Sequence, residues 1–250
     1  LIEANKSSSF DRIFRKYNEL HLLRKHFHYV GFKGELDPYP QESVLYVMNH
    51  SSWWDGLLVY QLFRSLSKGD HYVMMDEQQL QHFRFFRKLG AYSIDKRTPQ
   101  SMIPSLRYTG KLLEAGKRVW MFPQGDIHHL EQRPLLLKDG AAHVLRQQPN
   151  TTVIPVTVYY SLFHHQKADA TMQAGKPIQL AWDQIGKREI TERLRACLES
   201  QLDEHRAGII SGCEMDTLGY ERIVKPGGST SAAFTAFKRR MTAWKSFFGR

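Results

Sequence analysis

The chain has 250 residues, 42% of them hydrophobic and 24% charged, which suits one α/β domain with a real core and excludes general disorder. A formal charge of +10 calls for an anionic partner, yet no basic run interleaved with aromatics marks a nucleic-acid surface, so no nucleic acid is expected. Apolar stretches are only a handful of residues long, so neither a spanning helix of roughly 20 residues nor a secretory signal is expected, and membrane contact would be peripheral.

At the amino end, Phe10, Ile13, Phe14, Tyr17, Leu20, Leu23, Phe27 and Val30 recur three or four apart, with Arg12, Arg15, Lys16, Arg24 and Lys25 between them. That spacing predicts a basic amphipathic helix over 10–30. From about 43 to 182 the pattern alternates apolar strands and helical stretches, which predicts a mixed, mostly parallel sheet flanked by helices. The expected strands are Val44 to Met48, Tyr72 to Met75, Ala91 to Ile94, Arg118 to Phe122, Val153 to Tyr160 and Ile178 to Leu180. The expected helices lie near 54–66, 77–88, 99–115, 139–147 and 187–206. Thr98 and Pro99 suit a cap and first turn, Pro104 would kink that helix or delay its start, and Gly116 closes it. Cys197 and Cys213 are expected to be unpaired thiols of a reducing compartment. The adjacent pairs His128-His129 and His164-His165 lack metal-ligand spacing, so no metal is expected.

Pro226-Gly227-Gly228-Ser229-Thr230-Ser231 reads as a flexible joint. Beyond it Phe234, Phe237, Met241, Trp244 and Phe248 share a helical stripe, with Lys238, Arg239, Arg240, Lys245 and Arg250 around it. This predicts a second amphipathic helix lying on an anionic membrane surface. The expected organisation is an N-terminal amphipathic helical segment over 1–36, an α/β domain over 37–225, and a joint with a basic helix over 226–250.

The chemistry is concentrated where strands end. His50 and Asp55 lie five residues apart in Asn49-His50-Ser51-Ser52-Trp53-Trp54-Asp55, directly after an expected strand. On a straight helix five residues turn about 500°, leaving the two side chains roughly 140° apart, so they can meet only around a turn. There the carboxylate would hold one ring nitrogen of His50 and leave the other to take a proton. Gly90 to Arg97 is a short strand ending in two cations, of which Arg97 offers a planar fork and Lys96 a point charge. Trp120 to Asp126 is a strand running into Pro123-Gln124-Gly125, where glycine permits close backbone approach. Val153 to Thr157 carries Pro155, which should mark a sheet edge or bulge.

Taken in order, these blocks resemble the glycerolipid acyltransferase family, which includes lysophosphatidic acid acyltransferases, over roughly residues 43–160. Asn49, His50, Ser52 and Asp55 match its Asn-His-x-Ser-x-x-Asp motif. Gly90, Ile94 and Lys96-Arg97, with Tyr92 near the aromatic position, match the second motif in part. Phe122, Pro123 and Gly125 match Phe-Pro-Glu-Gly-Thr-Arg in part, and Ile154-Pro155-Val156 matches the fourth. Lys138-Asp139-Gly140-Ala141-Ala142 is similar to the family's Lys-Gly-Ala helix start.

The resemblance implies transfer of an acyl group from a thioester, on coenzyme A or acyl carrier protein, to a hydroxyl of a lipid-like acceptor. His50 would be general base and Asp55 its orienting partner, with Asn49, Ser52, Lys96, Arg97, Gln124, Gly125, Asp126 and Lys138 as substrate-binding candidates. Backbone N–H groups near His50 or around Gly125 are candidates for the oxyanion donors, which the sequence does not place. No cofactor is implied beyond the thioester co-substrate, and the expected place is the cytoplasmic face of a membrane. Gln124 stands where the family has Glu, and Asp126-Ile127 where it has Thr-Arg. An added anion disfavours a phosphate-bearing acceptor and favours a neutral hydroxyl lipid, such as a glycosylated lipid or carotenoid, unless Lys96, Arg97, Arg133 or Lys138 compensates. The reading from another class is a non-catalytic lipid-binding or scaffold protein built on the same fold.

Overall fold

The structure is a computed structural model that describes residues 1–38, 42–212, 218–227, 234 and 237–239. Its centre is β2, Val44–Met48, in which every residue is buried. Val44, Tyr46 and Met48 enter one core cluster while Leu45 and Val47 enter another, so the unbroken apolar run reflects a strand covered on both faces. Parallel to it run β3 (His71–Asp76), β4 (Ala91–Ile94), β5 (Arg118–Met121) and β6 (Thr152–Ser161).

The sheet continues through β7 (Ala168–Ala174), antiparallel to β6, then β1 (Phe27–Lys33), parallel to β7, and β8 (Glu221–Arg222), antiparallel to β1. Among the described residues this makes one eight-stranded sheet in the order β4-β3-β5-β2-β6-β7-β1-β8. It is the mixed, mostly parallel sheet that the alternation predicts.

One face is covered by α1 (Ser8–Tyr17), a π-helical turn over Asn18–Leu23, and α3 (Asp55–Leu66), whose Phe14, Leu23, Leu57, Leu58 and Leu62 share a cluster. The other is covered by α5 (Pro99–Glu114), α6 (Gly140–Gln147) and α7 (Lys187–Ser211), which contribute Leu106, Leu113, Val144, Leu145, Leu194 and Leu198. Thr98 caps α5 as expected, accepting from Ser101 N–H at 3.1 Å, and the helix runs from Pro99 with Pro104 inside it. Gly116, at φ +68°, follows its last turn.

Four expectations are corrected. The helix expected over 10–30 ends in a short α2, Arg24–His26, and residues 27–33 become β1, so the segment expected over 1–36 also supplies a strand. Helical spacing could not reveal this, because the pairing partner of β1, β7, lies about 140 residues downstream. The helix expected over 77–88 is α4, Glu77–His82, followed by a 3-10 segment, Arg84–Leu89. Ile178 to Leu180 forms only a single bridge, Val153 to Ile178. Pro155 lies in an interior strand rather than at an edge or bulge. The β6–β7 ladder begins only at Val156, so its missing N–H falls beyond that ladder. Residues 168–174 and 221–222 were not expected as strands. The helix expected over 232–250 lies almost wholly outside the described residues, as does Cys213, while Cys197 is a free thiol. No helix among the described residues is long and apolar enough to cross a membrane.

The five parallel strands end on one edge, and the loops that follow β2, β4 and β5 gather there. β3 and β5 pair only as far as Val73 and Trp120. Beyond that point β3 stays with β4 to Asp76 and β5 with β2 to Met121, so the two part at their carboxyl ends. A cavity of about 930 Å³ is lined by both sides of that gap, from Val73–Asp76 to Met121–Pro123.

Candidate active site

The site is built on the turn between β2 and α3. Asn49 ends the strand with its amide buried, its Oδ1 accepting from Val158 N–H at 2.8 Å and its Nδ2 donating to Val158 O at 3.1 Å. Both polar ends therefore extend the β2–β6 pairing by side chain, which places Asn49 under the site rather than on its surface.

His50 follows, and Asp55 opens α3, as the spacing argument requires. Nδ1 of His50 lies 2.8 Å from Asp55 Oδ2. A carboxylate only accepts, so Nδ1 carries the proton and Nε2 is left as the basic nitrogen. The same oxygen accepts the backbone N–H groups of Ser51 at 2.8 Å and Ser52 at 3.0 Å. Asp55 itself is 0% exposed, and its Oδ1 accepts from the Tyr160 hydroxyl at 2.5 Å. Burial, then the Asp55 charge, push the Tyr160 phenol well above its ordinary range, so it serves as a donor. Ser52 Oγ accepts from Trp54 N–H at 3.2 Å and so shapes the first turn of α3.

The loop after β5 holds the turn from the other side. The His50 ring stacks on Phe122 with centroids 4.5 Å apart, and Gln124 Oε1 accepts the His50 backbone N–H at 2.6 Å. Gly125, at φ +77°, brings its carbonyl to Lys96 Nζ at 2.9 Å, and an added Cβ there would press on Lys138 at 3.1 Å. The N–H groups of His50, Ser51, Ser52 and Gly125 all have internal acceptors, Gly125 N–H through Phe122 O at 2.9 Å. These four amides, among the candidates for oxyanion donors, are therefore committed to holding the loops.

Charges at the rim compensate one another. Lys96 lies between Asp126 (2.6 Å) and Asp76 (3.1 Å), and Lys138 reaches the other oxygen of Asp126 at 3.2 Å. Burial pulls the Lys96 ammonium down, but the two carboxylates outweigh it and hold it above its ordinary value. Lys96 and then Lys138 hold the Asp126 carboxyl below its own. Arg97 departs from this group, since its guanidinium folds back onto Asp95 at 2.7 Å and is 76% exposed. Arg133 pairs with Asp203 at 2.7 Å, outside the cavity lining.

The cavity connects the pieces. His50, Lys96, Gly125, Asp126 and Lys138 line it together with an apolar wall that includes Leu57, Phe63, Phe86, Leu106 and Met121. Asn49, Ser52, Asp55, Arg97 and Gln124 do not line it. Tyr160 and Asp76, both in contact with site residues, were missed by sequence reading. Tyr160 read only as the last residue of the strand expected over Val153 to Tyr160, and Asp76 fell between the strand expected to end at Met75 and the helix expected from 77.

A family model described as Acyltransferase matches residues 30–159, just over half of the chain, and the chain belongs to this family. The resemblance read from the four blocks is thereby borne out, and the protein is an acyltransferase. In fold it is similar to the crystal structure of the 1-acyl-sn-glycerophosphate (LPA) acyltransferase, PlsC, from Thermotoga maritima, with a TM-score of 0.58 and 15% identity over 79% of this chain and 80% of that one. No curated protein matches the chain by sequence.

Proposed function

We propose that the protein is a peripheral membrane O-acyltransferase that moves an acyl group from coenzyme A or acyl carrier protein to a hydroxyl of a neutral lipid-like acceptor. The observation that carries this reading is the 2.8 Å His50–Asp55 contact, with the imidazole forming part of the wall of an apolar cavity. His50 Nε2 takes the acceptor's hydroxyl proton as that oxygen attacks the thioester carbonyl. The hydroxyl is far too weak an acid to ionise first, so transfer and attack are concerted. The tetrahedral intermediate then collapses, the C–S bond breaks, and the leaving thiolate recovers the proton from His50. Asp55 keeps the imidazole in the required tautomer and stabilises the imidazolium. The apolar wall suits an acyl chain, at about 0.8 kcal/mol for each buried methylene.

Lys96 and Lys138 are balanced by Asp126 and Asp76, so the rim offers little net positive charge to a phosphate. Asp126 is more than half exposed and can accept hydrogen bonds from sugar hydroxyls, which favours a glycosylated lipid or carotenoid over lysophosphatidic acid. The basic N-terminal segment exposes Ile13, Tyr17 and Leu20, in keeping with contact to an anionic membrane surface on its cytoplasmic face. The test is thioester turnover with a panel of neutral and phosphate-bearing acceptors, in the wild type and in His50→Ala. Loss of turnover by roughly 100-fold or more is expected for the variant. A fully active His50→Ala protein would end the general-base reading and leave the non-catalytic lipid-binding alternative to be tested by vesicle binding.

A further inference from the structure

We infer that Tyr160 is a positioning residue of the reaction, locking the Asp55 carboxylate so that it holds His50 in its productive orientation. The inference rests on the general-base reading of His50. The Asp55 carboxylate has two oxygens with unequal surroundings: Oδ2 receives His50 Nδ1–H and two backbone N–H groups, while the Tyr160 hydroxyl donates to Oδ1. Carboxylate torsions are broad and roughly two-fold, so donors on one oxygen alone leave the plane of the group free to tilt. A donor on the second oxygen removes that freedom. The Asp55 side chain is 0% exposed, so a donor lost from Oδ1 is not readily replaced by water.

Tyr160 does not line the cavity, and its ring stacks near Phe27, with centroids 6.1 Å apart. It acts through Asp55 and does not touch substrate. Its own position is set by the β2–β6 register, in which Met48 pairs with Val156, so strand pairing is coupled directly to the orientation of the base. Sequence reading had no access to this link, since 105 residues separate the two side chains.

The experiment compares the full-length wild type with Tyr160→Phe and His50→Ala, using acyl-coenzyme A as the probe donor and the best acceptor of the panel. Tyr160→Phe should lower kcat by about 10-fold to 100-fold with the thioester KM unchanged, since geometry of the base is lost and donor binding is not. Nitrogen NMR should show the His50 Nδ1–H tautomer dominant in the wild type and mixed in the variant. Wild-type kcat and an unchanged His50 signal in Tyr160→Phe, beside an inactive His50→Ala, would overturn the positioning role alone. An active His50→Ala would overturn it together with the base reading. Should the phenylalanine variant not fold, the wild type still decides: its Tyr160 hydroxyl proton should be slowly exchanging and shifted downfield, and should lose that shift in Asp55→Asn. A hydroxyl proton exchanging freely with water would overturn the inference.

Discussion

Gln124 Oε1 accepts the backbone N–H of His50 at 2.6 Å, tying the turn that carries the imidazole to the loop after β5. What this position contributes is an acceptor, which a carboxamide provides as a carboxylate does. Relative to the family's Glu the bond is kept, as a neutral rather than a charge-assisted one.

Gln124→Ala should leave the part-buried His50 N–H without this partner and lower the unfolding free energy by about 1 kcal/mol, with reduced turnover. Gln124→Glu should keep the bond and most of the activity. Urea unfolding and thioester turnover on both variants check this, and an alanine variant as stable as the wild type would contradict it.

Asp126 bridges Lys96 and Lys138 at the rim of the cavity. Asp126→Asn removes the bridging charge and leaves two ammonium groups less compensated. Because the carboxylate is more than half exposed, solvent screening limits the gain to about 1 kcal/mol, roughly a fivefold fall in KM for a phosphate-bearing acceptor. The KM for a glycosylated acceptor should rise. Parallel kinetics with lysophosphatidic acid and a neutral glycolipid measure both, and unchanged selectivity would remove Asp126 as its determinant.

Two histidines away from the site should govern acid stability. His205 lies buried between Thr157 and Thr171, 2.9 Å from each, and burial, then Lys33, depress it to about 3. His71, stacked on Phe63 and accepting from Trp120 Nε1 at 3.0 Å, is depressed to about 3, chiefly by burial. Both folded values lie below the ordinary 6.5, so the unfolded chain binds more protons between those limits. Their stability contribution is present above pH 6.5 and is lost as pH falls toward 3, at about 1.4 kcal/mol per pH unit for each histidine. Urea unfolding between pH 7 and pH 5 should show this slope. His205→Gln, which retains hydrogen-bonding capacity without titrating in this range, should flatten it by about one proton's worth.

The elements legible in advance were those whose signal is local. Val44 to Met48 is an apolar run covered on both faces, and Thr98-Pro99 carries its own helix start. Phe27 to Lys33 was misread because its aromatic and aliphatic residues fit helical spacing, and only pairing with Ala168–Ala174 decides in favour of a strand. The Lys96-Arg97 pair looked like one cationic feature, but the two side chains part. Lys96 meets Asp126 at the cavity rim, while Arg97 folds onto Asp95.

Sequence alone showed that His50 and Asp55 could meet around a turn. Five residues spanning a strand exit and a first helical turn leave little conformational room, so nearness along the chain becomes nearness in space. Tertiary structure alone decided what surrounds that pair. Tyr160 on Asp55, Gln124 on the His50 backbone and Asp126 on Lys96 all depend on strand order and register, which bring together segments 30 to 105 residues apart. A side-chain pattern shows which face of a strand is buried. It does not name the neighbouring strand, and here that neighbour sets the geometry of the base.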